Sequence, residues 1–422
     1  MSEYIVIPIF LDKFIHPCHK KNSVSLLYVK EVGSNAKILT INHHDQLETD
    51  NFDFLKDKTI LTTNKKFLLY VYPFKKVYDL NLLNYYIDNS PINDDSHNNA
   101  IDFFDSRYNE FNNINTIIPI FKHQEYYDKL SEKLEKIWKN KDSINFESYE
   151  EYNNESITSF YSIEKQGIAV KKEFNTKTKK HISNNKLYSN YELYTATGRP
   201  SNNFGGINFA ALDKDKKKLI VPENDYLVEY DHDAYHVRLI ADLIDYKFPE
   251  GSAHNHLAKL YCVNREEGKK LTFQYLYGRI PWDVIQLNPF FDLVHGLIEI
   301  LWEEFNKTGK IETPIYKRPI FKRNHKDIEK TKLFNYYIQA TETEKNIKTI
   351  IELQRYLYKR NTSIILYMYD AFLIDFSEKD GIETLKNIKK ILESDNYLTK
   401  AKLGYNYSEM KDITHKIDAS NS

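Results

Sequence analysis

The first hundred residues carry short runs of β-branched and aromatic residues separated by polar segments. Such runs predict strands, here at Tyr4–Phe10, Val24–Val29, Lys37–Ile41 and Phe67–Val71. The segment Val77–Ile87 has the apolar spacing of a helix, and the polar segment Asn89–Asn99 that follows it predicts a loop. We therefore expect an α/β domain that ends near residue 115.

Beyond that domain, the apolar residues first recur every three or four positions. This spacing predicts one helix over Tyr126–Trp138 and another over Ser156–Gln166, which Gly167 would end as a C-cap. A basic stretch, Lys171–Lys180, follows; a solvated loop is its ordinary interpretation, and contact with a phosphate backbone is the alternative. From about residue 187 strands and helices alternate without an internal repeat, up to a final strand at Ala401–Tyr407.

Composition and charge narrow the class of protein. No run approaches about 18 consecutive apolar residues, so we expect no membrane span. Two distant cysteines, Cys18 and Cys262, and a start without a secretory signal predict a reducing cytoplasm. The net charge is -1 and the pI is about 6.9, so any surface that binds nucleic acid must be local.

The segment Tyr226–Ala241 (YLVEYDHDAYHVRLIA) joins an apolar strand to a helix, and Asp231 lies at the junction. A sheet fixes the position of an acid at the end of a strand, which suits a ligand for a metal ion. An aspartate before a helix can equally be its N-cap. Both interpretations of Asp231 are open on this segment alone.

A second acid lies in Thr362–Phe376 (TSIILYMYDAFLIDF), a segment that predicts a β-hairpin with Asp370 at its tip. An unpaired carboxylate among apolar residues costs free energy, and a bound metal ion would remove that cost. We expect the nearby Asp375 on the outer face of the hairpin. Asp370 is therefore the second candidate metal ligand.

Between the two acids, the segment Arg265–Gly278 (REEGKKLTFQYLYG) predicts a helix. Two cations and then two aromatic residues recur every four positions and would lie near one face: Arg265, Lys269, Phe273 and Tyr277. Cations can bind a triphosphate and aromatic rings can stack on a base, although an ordinary amphipathic helix has the same spacing. Together with two strand-borne acids, this helix meets the requirements of phosphoryl transfer by two Mg²⁺ ions.

Taken in order, the motifs from about Ile163 to Tyr407 resemble those of family A DNA polymerases. The segment Arg265–Gly278 matches the family's RxxxKxxxFxxxYG motif position for position. The other segments that resemble family motifs are Thr195–Arg199 with Ser201, Gly206–Asn208, Asp231–Arg238, Gly309–Arg318, Asn335 with Gln339, Met368–Phe372 and Lys402–Tyr407. The resemblance implies an α/β (α+β) fold with the palm and fingers of a right-hand polymerase.

For the metal site, the resemblance implies that Asp231 and Asp370 bind two Mg²⁺ ions, helped by the backbone carbonyl of His232. The motif around Asp370 continues with Ala371, where the family has a further carboxylate. Two acids then remain, a number that two-metal chemistry tolerates.

For the substrates, the resemblance implies that Arg265 and Lys269 hold the triphosphate of a dNTP. Phe273 would stack on the incoming nucleotide, and Tyr277 would lie at the template base. Primed DNA would be contacted near the new base pair by Arg199, Asn335 and Gln339.

Two implied nucleotide contacts depart from the family pattern. His254 matches a phosphate-binding histidine although Ser252 replaces the acid before it, and His256 is the alternative. His236 stands where the family carries a glutamate that blocks a ribose 2′-hydroxyl. Sugar selection is therefore open, although the bulk of His236 and the presence of Phe273 favour dNTPs.

The resemblance also predicts three domains. Residues 1–115 would be a degenerate 3′–5′ exonuclease-like domain of ribonuclease-H-like α/β fold, with an unrelated α/β domain as the alternative. The region of its first strand offers only Asp12 where proofreading needs a DxE pair, so we expect no proofreading. Residues 116–198 would be a helical connector with a reduced thumb, because only 32 residues separate Gly167 from Arg199. Residues 199–422 would be the palm and fingers.

The predicted function is a DNA polymerase that adds dNTPs to a primer on a DNA template. The short thumb predicts a weak hold on primed DNA, and so a processivity or replisome protein as a further partner. One alternative is a single-subunit RNA polymerase, because Asp370-Ala371-Phe372 resembles a motif of those enzymes. The other is a catalytically weak DNA-binding scaffold. AT-rich coding and the trimmed architecture suggest a phage protein in the cytoplasm of a bacterial host, with replication and repair both open.

Overall fold

The computed structural model describes residues 2–10, 15–20, 22, 24–35, 37–41, 53–90, 92, 117–174, 182–201, 208–249, 251–325, 327–395 and 397–419. The chain divides into two compact units. The first comprises Met1–Tyr194 with Asn202–Asn208, and the second comprises Thr195–Ser201 with Phe209–Ser422. Both units combine strands and helices, so the predicted mixed α/β class is confirmed.

The first unit is built on a five-stranded sheet. Its strands are β1 (Glu3–Phe10), β2 (Val24–Glu31), β3 (Lys37–Ile41), β4 (Thr59–Thr62) and β5 (Lys76–Asp79). They lie in the order β3-β2-β1-β4-β5. The pairs β1–β2 and β2–β3 are antiparallel, whereas β1–β4 and β4–β5 are parallel. The apolar core beside the sheet consists of Val6, Leu27, Val29, Leu55, Ile60, Leu68, Phe74 and Val77.

Helices and a small second sheet complete this unit. The helices are α1 (Lys65–Leu68), α2 (Leu80–Asp88), α3 (Ile117–Lys139) and α4 (Phe146–Gln166). The second sheet has the order β6-β8-β7 and consists of β6 (Ile168–Ala169), β7 (Ile182–Ser183) and β8 (Lys186–Leu187). The predicted helices within α3 and α4 are confirmed, and Gly167 is the C-cap of α4 with φ +66°.

Strands β1, β2 and β3 confirm three predicted strands, but the strand predicted at Phe67–Val71 is wrong. Its first residues lie in α1, whose N-cap is Asn64. The Asn64 side chain accepts a hydrogen bond from the N–H of Phe67 at 2.9 Å. This local cap outweighs the β propensity of the apolar run, and the fourth strand, β4, lies before it.

The helix predicted over Val77–Ile87 is confirmed only in α2. Its first residues lie in β5, and the Asp79 carboxylate at the end of that strand caps α2 by accepting from the N–H of Leu82 at 3.0 Å. Most of the predicted loop Asn89–Asn99, the end of the basic stretch and the boundary near residue 115 lie outside the described residues.

The second unit contains an antiparallel sheet that carries both candidate metal ligands. The strands of the second unit are β9 (Tyr226–His232), β10 (Lys310–Glu312), β11 (Pro319–Phe321), β12 (Ser363–Met368), β13 (Ala371–Phe376), β14 (Thr399–Gly404) and β15 (Lys411–Asp412). Five of them form the sheet in the order β12-β13-β9-β14-β15, and β10 pairs with β11 separately. The predicted hairpin around Asp370 is β12 and β13, and the predicted last strand is β14.

The helices of the second unit share one apolar core. They are α5 (Lys214–Lys217), α6 (Tyr235–Leu243), α7 (Ala253–Leu260), α8 (Arg265–Tyr277), α9 (Trp282–Leu287), α10 (Pro289–Thr308), α11 (Lys330–Leu357), α12 (Ile382–Leu392) and α13 (Thr414–Ala419). Fully buried residues from five of these helices belong to the core: Val237, Leu257, Leu276, Phe290 and Phe334. Within the described ranges, no helix has the length and apolar composition that crossing a membrane requires.

A tight turn before the second unit's main sheet depends on Gly198. Its φ is +71°, in the left-handed region, and an added Cβ would collide with the guanidinium of Arg318. Arg318 is only 2% exposed; it donates a hydrogen bond to the carbonyl of Thr197 at 3.0 Å and lies 4.0 Å from Glu344. The glycine therefore allows the backbone to approach a buried cation closely.

We predict that Gly198→Ala lowers the free energy of unfolding by about 2–4 kcal/mol, because backbone strain and overpacking add together. Gly309→Ala is a matched control, since Gly309 has φ +79° and nothing lies within 4 Å of an added Cβ. Strain alone should cost it about 1–2 kcal/mol. Denaturant titration measures both losses, and equal losses would show that Arg318 moves aside freely.

Candidate active site

All the site residues predicted from the sequence line one cleft in the second unit. The volume of the cleft is about 610 Å³. Its lining comprises Arg199, Asp231, His232, Asp233, Ala234, Tyr235, His236, His254, Arg265, Lys269, Phe273, Tyr277, Asn335, Gln339, Asp370 and Lys400. His256, the alternative to His254, is not among them. The sequence had not singled out Asp233, Ala234, Tyr235 or Lys400.

Strand register places the two candidate metal ligands side by side. Asp231 lies in β9 directly opposite Ala371 of β13, and Asp370 lies in the turn just before Ala371. The carbonyl of Asp370 accepts a hydrogen bond from the N–H of His232 at 3.0 Å. The turn requires a left-handed backbone at Tyr369, whose φ is +62°. The sheet therefore fixes both acids at one end of neighbouring strands.

Burial makes both acids reluctant to ionise. It raises the pKa of Asp231 to about 6, with the charges of Asp370 and Glu229 as further causes. Burial also raises the pKa of Asp370, and the nearby Glu342 carboxylate adds to this effect. Neither acid forms an ion pair within the part of the chain that the structure describes. Two adjacent half-buried carboxylates without a cationic partner fit a hard divalent cation such as Mg²⁺.

The donor set for a metal ion is small. Among the described residues, no group of three or more His, Cys, Asp or Glu side chains has the arrangement of a metal site. Magnesium typically takes one or two protein carboxylates and completes its shell with water and substrate phosphate. The pair Asp231 and Asp370 is therefore sufficient for Mg²⁺, but it would not suit a closed structural zinc site.

A third acid at this end of β9 has the opposite electrostatic character. The Asp233 carboxylate lies 3.3 Å from a guanidinium nitrogen of Arg265 and 3.3 Å from Nζ of Lys400. Burial would raise the pKa of Asp233, but Lys400, the nearby Ser252 side chain and Arg265 together hold that pKa below its usual value. Asp233 is thus an ionised partner for two cations of the cleft.

Helix α8 presents its basic and aromatic residues to the cleft, as the four-residue spacing predicted. Its N-cap is Asn264, which accepts from the N–H of Glu267 at 3.0 Å. The opposite side packs tightly on α7, because a Cβ at Gly268 would lie 2.5 Å from that of Ala258. This close packing fixes the direction of the cleft face of α8.

The aromatic end of α8 forms a flat surface in the cleft. The rings of Phe273 and Tyr277 are stacked, with centroids 5.8 Å apart and an interplanar angle of 13°. The ring of His254 lies 5.8 Å from that of Phe273. Burial lowers the pKa of His254 to about 4, and the positive charges of Lys269 and Arg265 contribute. His254 is therefore neutral at pH 7 and can donate one hydrogen bond to a phosphate oxygen.

The remaining predicted residues lie around the two acids. Asn335 and Gln339 are one turn apart on α11, and the Gln339 side chain donates to Asn335 Oδ1 at 2.7 Å. The guanidinium carbon of Arg199 lies 3.7 Å above the ring centroid of Tyr369. His232 is buried, its ring stacks on that of Tyr235, and burial lowers its pKa to about 3.

The prediction for Asp375 is wrong. We expected it on the outer face of the hairpin, but it is only 4% exposed. Its carboxylate accepts hydrogen bonds from the N–H groups of Glu223, at 3.2 Å, and Asn224, at 3.1 Å. The segment before β9 therefore covers this face, and Asp375 anchors that segment.

Comparisons with known proteins agree with this architecture. No family model matches the chain, and no curated protein matches it in sequence. Among solved structures, the chain is similar to the POL domain of Pol1 from M. smegmatis in complex with DNA primer-template and dNTP. The TM-score is 0.71 at 12% sequence identity, over 96% of each chain. The chain therefore has the mixed α/β fold of a DNA polymerase POL domain.

We predict that Asp231→Asn stabilises the metal-free protein above about pH 6. A raised pKa means that folding favours the protonated carboxyl, so this stabilisation is complete below about pH 4 and is lost as the pH rises through about 6. The variant does not titrate there, so its advantage should grow over this interval and level off at about 1 kcal/mol. Denaturant titration in EDTA at several pH values measures it.

Asp233→Asn is the matched control for this measurement. Because the pKa of Asp233 is lowered, its ionised form stabilises the fold, and that stability is present above about pH 4. The control should therefore lose stability at neutral pH, where Asp231→Asn gains it. Changes of the same sign in both variants would contradict the opposite environments assigned to the two acids.

Proposed function

We propose that this protein is a template-directed DNA polymerase that adds dNTPs to the 3′ end of a primer by two-metal phosphoryl transfer. One observation carries the proposal. In a chain with a POL-domain fold, two half-buried carboxylates without cationic partners lie in the same cleft as a basic and aromatic helix face. The described neighbour was solved with DNA primer-template and dNTP, which supports the same classes of ligand here.

Asp231, Asp370 and the carbonyl of His232 would hold two Mg²⁺ ions, which when bound supply positive charge at the attacking and leaving oxygens. Arg265 and Lys269 would bind the triphosphate. The ion pair with Asp233 would keep Arg265 oriented before the nucleotide arrives. A bound triphosphate would then compete with Asp233 for Arg265. Ala371 has no carboxylate, so Asp231 and Asp370 would provide the carboxylate ligands for both ions.

The flat aromatic surface would bind the base. Phe273 would stack on the incoming nucleotide, and Tyr277 beside it would lie at the template base. His254 would donate a hydrogen bond to a phosphate. Arg199, Asn335 and Gln339 would contact the primer–template. His236 and Phe273 would favour deoxyribose over ribose, which separates this proposal from an RNA polymerase.

The first unit supports a polymerase without proofreading. Its sheet order, with β1, β4 and β5 parallel and β2 antiparallel, is consistent with a ribonuclease-H-like exonuclease domain over residues 1–115. The acid on β1 is Glu3, and its Oε2 accepts from the Trp138 indole N–H at 2.9 Å. Asp12 lies outside the described residues. We therefore propose a degenerate exonuclease domain.

Further parts of the proposal rest on the sequence. Residues 116–198 would be a connector with a reduced thumb, and residues 199–422 the palm and fingers. A short thumb would hold primed DNA weakly, so a processivity or replisome protein would be a partner. A phage origin would fit the AT-rich coding and the trimmed architecture.

We predict that the purified protein extends a DNA primer on a DNA template with Mg²⁺ and dNTPs, and uses rNTPs far less. Asp370→Asn should slow extension at least about a thousandfold, because one of two metal ligands is lost, while primed DNA is still bound. Glu303→Gln, an exposed acid on α10, is the control and should extend at the wild-type rate.

Each result of this assay separates the candidate functions. Extension by Asp370→Asn at the wild-type rate would contradict the assigned site. Equal use of rNTPs would favour the RNA polymerase alternative. DNA binding by a wild-type protein that extends nothing would favour the scaffold.

We also predict that a primer with a mismatched 3′ nucleotide stays intact when it is incubated with the protein, Mg²⁺ and no dNTPs. The reason is the lack of an acidic pair on β1. Electrophoresis of a 5′-labelled primer measures its length. Shortening of the primer that persists in Asp370→Asn would overturn the prediction, because that variant excludes reversal of the polymerase reaction as the cause.

A further inference from the structure

One wall of the cleft is backed by a buried carboxylate that the proposed function does not use. Glu342, on α11, is fully buried and does not line the cleft. Its Oε1 lies 3.1 Å from a guanidinium nitrogen of Arg199, and its Oε2 lies 3.0 Å from Nε2 of His236. Both of these partners line the cleft. Glu342 can therefore act on a bound ligand only through them.

The His236 side chain is held from two sides. Its Nδ1 shares a hydrogen bond with the Tyr277 hydroxyl, and its Nε2 faces Glu342. A carboxylate beside Nε2 favours a proton on that nitrogen, which leaves Nδ1 to accept from the tyrosine. Nε2 and the facing Oε2 have no hydrogen-bond partner among the described residues, so their 3.0 Å contact is electrostatic. Glu342 and Tyr277 together thus set the orientation of the imidazole.

The position of His236 in the cleft is the one that a nucleotide sugar would meet. A sugar lies between the base and the phosphates of a nucleotide. The stacked rings of Phe273 and Tyr277 mark the base side of the cleft, and the acids Asp231 and Asp370 mark the phosphate side. His236 contacts Tyr277, with ring centroids 5.9 Å apart, and it lines the same cleft as Asp370.

We propose that Glu342 is a positioning residue for sugar selection: it holds the His236 imidazole against the Tyr277 hydroxyl, where the ring excludes a ribose 2′-hydroxyl. This inference rests on the proposed polymerase function. The His236 side chain, on α6, is the one that would contact the sugar. The negative charge of Glu342, on α11, holds the His236 ring in place. Without Glu342 the imidazole can rotate away, which opens the space that a 2′-hydroxyl needs.

Steady-state single-nucleotide addition with dNTP and rNTP tests the proposal. Glu342→Ala should lower the ratio of kcat/KM for dNTP over rNTP about tenfold, the effect of one lost polar contact. Most of the change should be a rise in the value for rNTP. Glu342→Gln should retain the selectivity only in part, because its amide oxygen can accept from one of the two donors whereas its amide nitrogen cannot accept. An unchanged ratio in Glu342→Ala would overturn the proposal.

Glu344→Ala is the matched control, since Glu344 is an equally buried acid on the same helix. Its carboxylate accepts from the Thr313 hydroxyl at 2.5 Å and from the N–H groups of Ile315 and Tyr316, both at 3.2 Å. Its loss should lower thermal stability without changing the sugar ratio. A fall of the ratio in this control equal to that in Glu342→Ala would show a general loss of structure instead of a positioning role.

A relocated carboxylate gives a second arm that does not depend on the stability of Glu342→Ala. The double variant His236→Glu with Glu342→Ala moves the acid directly to the sugar side of the Tyr277 hydroxyl. It should recover selectivity to within about threefold of the wild type. His236→Glu alone should bind dNTPs poorly, because it places two carboxylates together. A double variant as unselective as Glu342→Ala would contradict the proposal.

Failure of the polymerase function can be told from failure of this inference. Thermal stabilisation by dNTP and by rNTP, measured with Ca²⁺ in place of Mg²⁺, reports sugar preference without turnover. If the wild type extends no primer, the polymerase function fails. In the binding assay, loss of dNTP preference in Glu342→Ala would still support the role of Glu342, and an unchanged preference would overturn it.

Discussion

The pairing of β9 with β13 places two carboxylates close together. The proposed chemistry of the second unit depends on this unfavourable proximity. The register puts Asp231 opposite Ala371 and hence beside Asp370. Burial raises the pKa of each acid, with the charge of Asp370 as a further cause at Asp231 and that of Glu342 at Asp370, which costs stability whenever both acids are ionised. A divalent cation reverses the sign of this interaction, because each carboxylate then faces a larger positive charge. The sheet thus holds the two carboxylates rigidly, and a bound metal ion would offset the cost of ionising them.

Three cations of the cleft, Arg199, Arg265 and Lys400, follow a different rule, because each is already paired. Asp233 holds Arg265 and Lys400, and Glu342 holds Arg199. Pairing orients these long side chains at little electrostatic cost, and an arriving phosphate would only have to exchange one anion for another. It also explains how a chain with a net charge of -1 can carry a strongly polar cleft. Affinity for nucleic acid would come from this local arrangement and not from the overall charge.

Sequence reasoning succeeded where the pattern was local. Apolar strands around Asp231 and Asp370, and the four-residue spacing on α8, predicted elements that the structure contains and a cleft in which the residues meet. It failed where distant segments decide. The contacts of Glu342 with Arg199 and of Lys400 with Asp233 join residues 143 and 167 positions apart. Alternation alone put Asp375 outside, because nothing in the hairpin reveals the segment that covers it. A local cap likewise overrode β propensity in α1.

Two of the residues with a left-handed backbone lie beside acids of the cleft. Ala234, with φ +59°, immediately follows Asp233, and Tyr369, with φ +62°, immediately precedes Asp370. Non-glycine residues in this region cost about 1–3 kcal/mol each and persist only where the surroundings impose them. Here the surroundings are the sheet register and the shared core of α6, α7, α8, α10 and α11. The two turns direct neighbouring strand ends toward one point, so strain and like-charge repulsion have a common origin in bringing the acids together. A sequence optimised for stability alone would remove both, and this one keeps them where they would help to bind a divalent cation.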